Sequence, residues 1–406
     1  MNFVLTTAPG LEELCRQELL SFGITATIEK SGSALRFEGG FEEAAKVLTR
    51  SRLGSRVLLV LRAFSAKDAR MLYDQTRRVK WTELFRNYEH TFAVFTHGDT
   101  DKTDYNTKFA ALKIKDAICD ELKKHQGGRP DVNRNSPDLR IEALLYAGRC
   151  ELSLDLAGEP LHRRGYREDS GEAPLRENRA AALLMFAGYD GKQTLVDPFC
   201  GSGTIIIEAA LMAQNKAPGL LRSLDSFAGG RIFPELKSAL EKERVAAQKE
   251  VQSRKTSIFA SDISAKAVSE ARANLGRAGC SHLVSIDQAD AKSLSRSGAL
   301  VVSNPPYGER MLEGDAEKLL SDFVRQVKHH CSPTTMALVL PATELENSVG
   351  LKPEKQLQLA SGDMTLKFLK YEVFSGRLAE RKKILVSPTL MPPKKKTAKK
   401  TIRAKT

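Results

Sequence analysis

Four short strand-like runs in the second half of the chain each lead into a polar residue, and this repetition constrains the fold more than any other feature. The segments that follow the runs begin at Asp197, Asp262, Asp290 and Asn304. Glycines and a helical stretch from 205 to 213 follow the first run. A strand, a glycine turn and a helix begin a doubly wound α/β sheet, whose parallel strands bring their carboxyl ends to one edge. We therefore predict a Rossmann-like α/β domain with its binding site at that edge.

The last of these segments, Asn304-Pro305-Pro306-Tyr307, directly follows the apolar run 300–302. Its prolines fix the backbone and remove N–H donors, so the Asn304 amide oxygen and the Pro305 carbonyl face the same small space. Two neutral acceptors suit an exocyclic NH2 group, and Tyr307 offers a flat face for a planar base. The pattern indicates an amino group prepared to attack an electrophile. A proline-rich turn without such a role is the alternative.

The glycine turn after the first run is predicted to hold a cofactor. It lacks the Gly-Lys-Ser/Thr ending of a phosphate loop and the third glycine of the dinucleotide fingerprint. Asp197 would repel a pyrophosphate but attract a cation, and S-adenosylmethionine carries an ammonium and a sulfonium. Phe199 lies within the turn, and Gly201 and Gly203 let the backbone approach a ligand without a Cβ clash.

Two further carboxylates complete the predicted cofactor site. Asp262 ends a second strand and is placed to accept both ribose hydroxyls. Asp290, with Asp287 as the alternative, is placed to accept the adenine amino group. These aspartates also suit the N-caps of the following helices. That backbone role does not explain why all four segments recur in this order.

Composition is typical of a soluble globular protein. Of the 406 residues, 41% are hydrophobic and 28% are charged, and no apolar run approaches the length of a membrane span. The first ten residues lack the basic and apolar regions of a signal peptide. The six cysteines are far apart in sequence, so we expect neither a disulfide framework nor a zinc site, and no metal. A reducing cytoplasm fits this cysteine usage.

The net charge of +13 is concentrated at the end of the chain. From Arg381 onward there are ten Lys and Arg and no Asp or Glu; taking ten from 63 leaves 53 basic against 50 acidic residues, a net of +3. We predict a basic, disordered tail over 389–406. Attraction to nucleic-acid phosphates and a purely solubilising role remain equal alternatives for it.

The first half alternates strand and helix signals and predicts two small α+β units. A helix is expected around 71–81 and another over 108–124. The apolar side of the second helix is expected to carry Phe109, Leu112, Ile118, Cys119 and Leu122. The stretches 106–118 and 161–167 resemble a THUMP domain, preceded by a ferredoxin-like unit. That resemblance implies RNA binding. The candidate contacts are Lys108 and Lys113 on the helix and Arg163, Arg164 and Arg167 near the junction with the second half.

The motif order and the upstream domain together resemble the bacterial ribosomal RNA guanine-N2 methyltransferases, over residues 1 to about 388, with the closest match at 196–210 and 303–310. The resemblance implies transfer of a methyl group from S-adenosylmethionine to the N2 amine of a guanine, most directly in 23S RNA. The predicted parts are a ferredoxin-like unit (1–60), a THUMP domain (61–165), a class I methyltransferase domain (166–388) and the tail. The segment 218–256 is predicted to be an elaboration without a site role.

Other functions share parts of this pattern. A tRNA guanine-N2 methyltransferase is the first alternative, because the THUMP resemblance does not separate ribosomal RNA from tRNA. Asn-Pro-Pro-Tyr also occurs in enzymes that methylate adenine N6 in DNA or glutamine in proteins. An RNA-binding assembly factor without catalysis is the alternative from another class. No pattern in the sequence specifies an oligomeric state.

Overall fold

The computed structural model describes residues 1–29, 33–167, 175–253, 257–307, 314–362 and 364–374. The basic tail, the predicted match at 308–310 and the end of the predicted methyltransferase domain lie outside these residues. No helix within the described ranges combines the length and the apolar character needed to cross a membrane.

The first half is built on one seven-stranded sheet with the order β2-β3-β1-β4-β7-β6-β5. Alternate residues such as Phe3, Leu5 and Leu152 are buried in a core shared with the helices. The elements, in chain order, are β1 Asn2–Thr7, α1 Glu12–Ser21, β2 Ala26–Ile28, β3 Ala34–Glu38, α2 Phe41–Arg50, β4 Gly54–Ser65, α3 Ala69–Arg77, α4 Trp81–Leu84, β5 Phe92–Gly98, α5 Thr107–Gln126, β6 Leu139–Tyr146 and β7 Arg149–Asp155.

β4 joins the two predicted units of this half. It pairs with β1 on one side and with β7 on the other, so the sheet runs without a break from one unit into the next. The predicted boundary at residue 60 falls inside this strand. The first 155 residues are therefore a single layered body.

Two helices of the first half differ from expectation. The helix predicted over 71–81 ends at Arg77, and a separate short helix begins at Trp81. The apolar side expected for α5 was right for Ile118, Cys119 and Leu122, which are buried. It was wrong for Phe109 and Leu112, whose side chains are 39% and 57% exposed. The sheet instead receives the face formed by Ala110, Ile114, Ala117, Ile118 and Leu122.

The second half contains a second seven-stranded sheet with the order β10-β9-β8-β11-β12-β14-β13. Strands β8 to β12 are parallel, and β14 is antiparallel to both of its neighbours. The elements are α6 Glu177–Ala187, β8 Leu195–Asp197, α7 Thr204–Ala213, α8 Ala228–Ile232, α9 Pro234–Lys249, β9 Ile258–Asp262, α10 Ala265–Ala278, β10 Val284–Gln288, β11 Leu300–Ser303, α11 Asp315–His330, β12 Thr334–Pro341, β13 Lys355–Ser361 and β14 Met364–Val373.

This strand order confirms the predicted doubly wound α/β fold. Because β8 is followed in space by β9 on one side and by β11 on the other, the chain reverses its direction of progress across the sheet between β8 and β11. Such a reversal opens a crevice at the carboxyl ends of the two strands, which is where open α/β sheets bind ligands. The fold therefore places its binding crevice between Asp197 and Asn304.

The two halves dock through the segment that was predicted to have no site role. Helix α9 packs along α2, and Arg50 on α2 forms ion pairs with Glu243 and Glu250 around α9. Gly219 approaches α2 so closely that a Cβ there would lie 2.6 Å from the Thr49 carbonyl oxygen. The segment thus holds the second half of the chain against the first sheet.

Candidate active site

Asp197 lies at the centre of the crevice and is completely buried. Its Oδ1 accepts a hydrogen bond from Ser303 Oγ at 2.5 Å and another from the Phe199 backbone N–H at 3.2 Å. Its Oδ2 has no hydrogen-bond partner among the described residues. Burial raises the pKa of Asp197 to about 7, against the lowering effect of these two hydrogen bonds. A buried carboxyl group with one free oxygen is suited to receive a cationic group.

Asn304 follows β11 and faces the same crevice edge. Its Oδ1 is buried and, like Asp197 Oδ2, has no partner among the described residues. Pro305 is buried behind it. Tyr307 is partly exposed and packs against the apolar residues of both core clusters. Buried acceptors are normally satisfied, so two unsatisfied oxygens at the ends of adjacent strands point to donors that come from a ligand.

Ser303 connects these two residues, and the sequence analysis did not single it out. Its side chain is fully buried, and its hydroxyl fixes the orientation of the Asp197 carboxylate. The available signal was a small hydroxyl side chain at the end of a buried strand, next to Asn304. The hydrogen bond therefore ties the predicted cofactor acid to the predicted catalytic segment.

The two turn glycines have different surroundings. Both have positive φ, 50° at Gly201 and 88° at Gly203, which favours glycine. A Cβ at Gly203 would lie 3.1 Å from the Cβ of Ala271 on α10, whereas a Cβ at Gly201 would meet nothing within 4 Å. Gly203 therefore serves helix packing, and the open space lies next to Gly201.

Asp262 is held beside this turn. Its Oδ2 accepts from the Gly201 N–H at 2.9 Å, and its Oδ1 accepts from the Ser264 N–H at 2.9 Å. Each oxygen retains a second lone pair, and the residue is partly exposed. The next residue, Ile263, is 70% exposed, which is unusual for a large aliphatic side chain. Ile263 was not among the residues predicted from the sequence, although it is an apolar residue immediately after a strand-ending acid.

Asp290 caps the short 3-10 helix 291–293 and lies 3.4 Å from the Lys292 ammonium. Its carboxylate is 40% exposed. Asp287, the alternative for the same role, is exposed on β10. The N-cap role considered for Asp290 is therefore present in the structure, and its contact with adenine stays a prediction.

The predicted RNA contacts fall into two groups. Lys108 is exposed, and the Lys113 ammonium lies 5.5 Å from the centre of the exposed Phe109 ring. Arg163 is 69% exposed and pairs with Glu159. These three side chains are accessible to a polymer, and their binding of RNA stays a prediction.

Arg164 and Arg167 are engaged within the protein. Arg164 is 1% exposed and donates to the carbonyls of Leu161 and Arg52, with its Nε 3.5 Å from the buried Glu208 carboxylate. Arg167 donates to Thr204 Oγ1 at 2.5 Å, at the first turn of α7. The prediction that Arg164 contacts a phosphate disagrees with this burial, because its donors join the two halves of the chain.

Comparison with known families identifies the three parts of the chain. A model of the RMKL-like methyltransferase domain matches residues 164–368. Models of the THUMP domain and of the RlmL ferredoxin-like domain match residues 66–155 and 2–58.

Curated relatives share the same parts. Proteins from Psychromonas ingrahamii and Vibrio campbellii, both named ribosomal RNA large subunit methyltransferase K/L, are 34% identical to this chain. The alignments cover 93% and 89% of this chain but 51% and 52% of the relatives. The chain thus spans about half the length of the curated relatives it matches.

Solved structures of similar size share the whole architecture. SMU.472, a candidate methyltransferase solved in complex with SAH, has a TM-score of 0.81 and 26% identity, covering 93% of this chain and 98% of its own. A Listeria monocytogenes protein described as a predicted N6-adenine-specific DNA methylase has a TM-score of 0.80 and 26% identity, covering 92% and 96%. The resemblance drawn from the motifs is confirmed: this chain belongs to the family of RMKL-like methyltransferase domains, with a THUMP domain and an RlmL ferredoxin-like domain before it.

Proposed function

We propose that this protein transfers a methyl group from S-adenosylmethionine to the exocyclic N2 amine of a guanine in large-subunit (23S) ribosomal RNA. One observation carries the proposal: Asp197 Oδ2 and Asn304 Oδ1 are buried acceptors without partners among the described residues, at the ends of adjacent strands. The first suits a cationic cofactor and the second an amine. The THUMP domain and the names of the curated relatives support RNA as the polymer.

The residues around the crevice fit S-adenosylmethionine. Asp197 offers a buried anionic oxygen, and the open space beside Gly201 admits a ligand close to the backbone. Asp262 would accept the ribose hydroxyls, and the exposed Ile263 would pack against the adenine ring. Phe199, Gly203 and Asp290 complete the proposed set. When bound, the cofactor supplies an electrophilic methyl group on a positively charged sulfur.

Asn304 and Pro305 act on the nucleophile. Guanine N2 is a poor nucleophile because its lone pair is delocalised into the ring. Hydrogen bonds from its N–H groups to Asn304 Oδ1 and the Pro305 carbonyl favour a pyramidal nitrogen with the lone pair aimed at the methyl group. Fixed dipoles also stabilise the positive charge that develops on nitrogen. Because methylation makes that nitrogen acidic, its proton leaves afterward without a strong base.

Tyr307 receives the base outside its helix. A guanine must leave its stack to reach the crevice, and an aromatic face replaces part of the lost stacking energy. Tyr307 follows Asn304 by three residues, and its partly exposed ring packs against the core, which restricts its position. Alignment of amine, methyl and sulfur by these residues supplies much of the rate.

Replacement of Asn304 by alanine tests the mechanism. We expect kcat to fall by about 10²-fold or more, as when other prepositioned polar groups are removed, with an unchanged dissociation constant for S-adenosylmethionine. Single-turnover methylation and calorimetry measure the two quantities. Asn347→Ala, the same change at an exposed position of the same domain, is the control. Normal turnover by Asn304→Ala would reject the mechanism.

The identity of the substrate is tested separately. Purified protein with tritiated S-adenosylmethionine would be offered large-subunit ribosomal RNA, tRNA, duplex DNA and a protein translation factor. We expect label in ribosomal RNA, and N2-methylguanosine in its nucleosides by mass spectrometry. Label only in tRNA would assign a tRNA guanine-N2 methyltransferase. Absence of both label and cofactor binding would favour an assembly factor without catalysis.

Methylation of an adenine N6 amine in DNA is the second candidate. The Listeria monocytogenes protein with 26% identity is described in those terms, and the same acceptor pair would hold either amine. Label in DNA at N6-methyladenine would favour it over the proposed function, and label at glutamine would favour a protein methyltransferase. A ribosomal RNA substrate would also imply action in the cytoplasm.

A further inference from the structure

A cavity of about 800 Å³ lies at the junction of the two halves, and its lining does not include Asp197 or Asn304. Its volume falls within the range of about 300–1,000 Å³ that is typical of ligand sites. Its walls come from the connecting segment 159–167, from the start of α6, and from the segment 221–226 that precedes α8. Three parts of the chain that are distant in sequence therefore build one concave surface.

The lining of this cavity is strongly basic. It includes two acids, Glu159 and Glu177. Against them stand one histidine, His162, and five arginines: Arg163, Arg164, Arg167, Arg176 and Arg222. The two acids are engaged already, because Glu159 binds Arg163 at 2.7 Å and Glu177 lies 3.8 Å from Arg167. The cavity therefore keeps an excess of positive charge.

Two of the arginines have no carboxylate partner within the described part of the chain. Arg222 is 6% exposed and donates to the carbonyls of Ala157, Glu159 and Ser226. Arg176 is exposed at the N-cap of α6. A guanidinium that binds only neutral oxygens, and another that binds no acid, leave a positive potential in the space between them.

Two buried nitrogen atoms of the cavity wall have no hydrogen-bond partner in the described part of the chain, and one of them, in a guanidinium group, requires an acceptor. Arg167 Nε and His162 Nδ1 are buried and have no hydrogen-bond partner among the described residues. Burial, followed by the charges of Arg176, Arg164 and Arg163, lowers the pKa of His162 to about 3. The ring is thus held neutral mainly by burial, and the neighbouring guanidinium groups add to the effect.

The cavity is connected to the proposed base pocket through one turn of helix. Arg179 follows Arg176 on the first turn of α6, and its pKa is lowered by burial and by Arg176. Tyr307 interacts electrostatically with Arg179 and raises the pKa of its guanidinium group. A strand whose base reaches Tyr307 would therefore carry its adjacent backbone past the N-terminus of α6.

We propose that this cavity binds the phosphodiester backbone of the RNA strand next to the methylated base, with Arg176 and Arg163 as its accessible charged contacts. This inference rests on the proposed function. Guanidinium groups match phosphate oxygens in geometry and remain charged at all relevant pH values. Arg167 and Arg222 bind groups of the protein itself and form part of the cavity wall. The RNA backbone would therefore contact the two accessible arginines, Arg176 and Arg163.

Arg176→Ala is the decisive variant, because its side chain is exposed and its loss should leave the fold intact. Binding of a fluorescein-labelled transcript of large-subunit ribosomal RNA would be measured by anisotropy at several salt concentrations. We expect weaker binding and a slope of log affinity against log salt that is smaller by about 1, as for loss of one phosphate contact. Arg176→Lys should restore most of the slope. Arg325→Ala, a 67% exposed arginine on α11, is the matched control.

The outcomes separate the cavity from the proposed reaction. An unchanged salt slope in Arg176→Ala, at an unchanged melting temperature, would overturn the inference. Weaker binding of S-adenosylmethionine with unaltered RNA binding would also overturn it, because the cavity would then serve the cofactor carboxylate. The wild-type protein could bind the transcript, and Arg176→Ala could show the expected change in slope, without any methylation of the transcript. In that case the inference that the cavity binds RNA would be supported and the proposed function would be rejected.

Discussion

At the residue scale, the site depends on the hydrogen bond between Ser303 and Asp197 and on whether the Asp197 carboxyl group is ionised. Both side chains are fully buried, and the Ser303 hydroxyl donates to the Asp197 carboxylate. A hydrogen bond to the charged form favours ionisation, whereas burial opposes it. Since burial prevails and the pKa of Asp197 reaches about 7, the charge of this residue changes near neutral pH.

We expect the affinity for S-adenosylmethionine to decrease as pH falls below about 7. The cation requires the ionised carboxylate, so below its pKa the protein must release a proton to bind, at a cost of up to about tenfold in affinity per pH unit. Asp197→Asn should remove this dependence. Calorimetry between about pH 5 and 7, where the cofactor amine stays mostly protonated, measures it.

Replacement of Ser303 by alanine tests the pH dependence assigned to Asp197 in a second way. Loss of the hydrogen bond raises the pKa of Asp197 further, so the decline in affinity should begin at higher pH. Ser303→Thr keeps the hydroxyl and serves as the matched control. A wild-type affinity that is constant over this pH range would contradict the assigned role of Asp197.

At the element scale, the segment between α7 and β9 attaches the second half of the chain to helix α2 of the first half. Gly219 and α9 lie against α2, and the ion pairs of Arg50 hold the contact from the other side. Leu236 and Leu240 of α9 are completely buried, so the helix contributes to the core as well. The segment therefore fixes the catalytic half on the first sheet.

Gly219→Ala should destabilise the protein by about 1–3 kcal/mol, the usual cost of overpacking. The new Cβ would lie 2.6 Å from a backbone oxygen of α2, which cannot move as a flexible side chain does. Thermal unfolding measures the loss. Gly276→Ala on α10 is the matched control, because its Cβ would meet nothing closer than 3.9 Å and alanine favours helix. Equal stability of the two variants would refute the tight contact.

At the scale of the whole molecule, a buried ionic contact joins the two halves. Arg164 reaches the Arg52 carbonyl in the first half and lies 3.5 Å from Glu208 on α7 in the second. Tyr166 also donates to Glu208 at 3.3 Å. This contact, together with α9, joins the methyltransferase domain to the ferredoxin-like domain, whose sheet continues into the THUMP domain through β4 and β7.

Arg164→Ala should lower the free energy of unfolding by about 3–5 kcal/mol, because it leaves Glu208 buried without its cation. Chemical denaturation measures the change, and Arg163→Ala, at the adjacent exposed position, should alter stability by less than about 0.5 kcal/mol. An Arg164→Ala variant of normal stability would restore the original expectation that this side chain serves RNA.

The sequence determined the α/β fold and the place of its crevice, because strand, glycine turn and acid recur with a spacing that only a parallel sheet satisfies. Asp197 and Asn304 were identifiable for that reason. The tertiary structure alone decided which arginines are accessible, which face of α5 is buried and how Ser303 orients Asp197. Those properties depend on which residues, distant in sequence, pack against each side chain. A local sequence pattern carries no information about those distant residues.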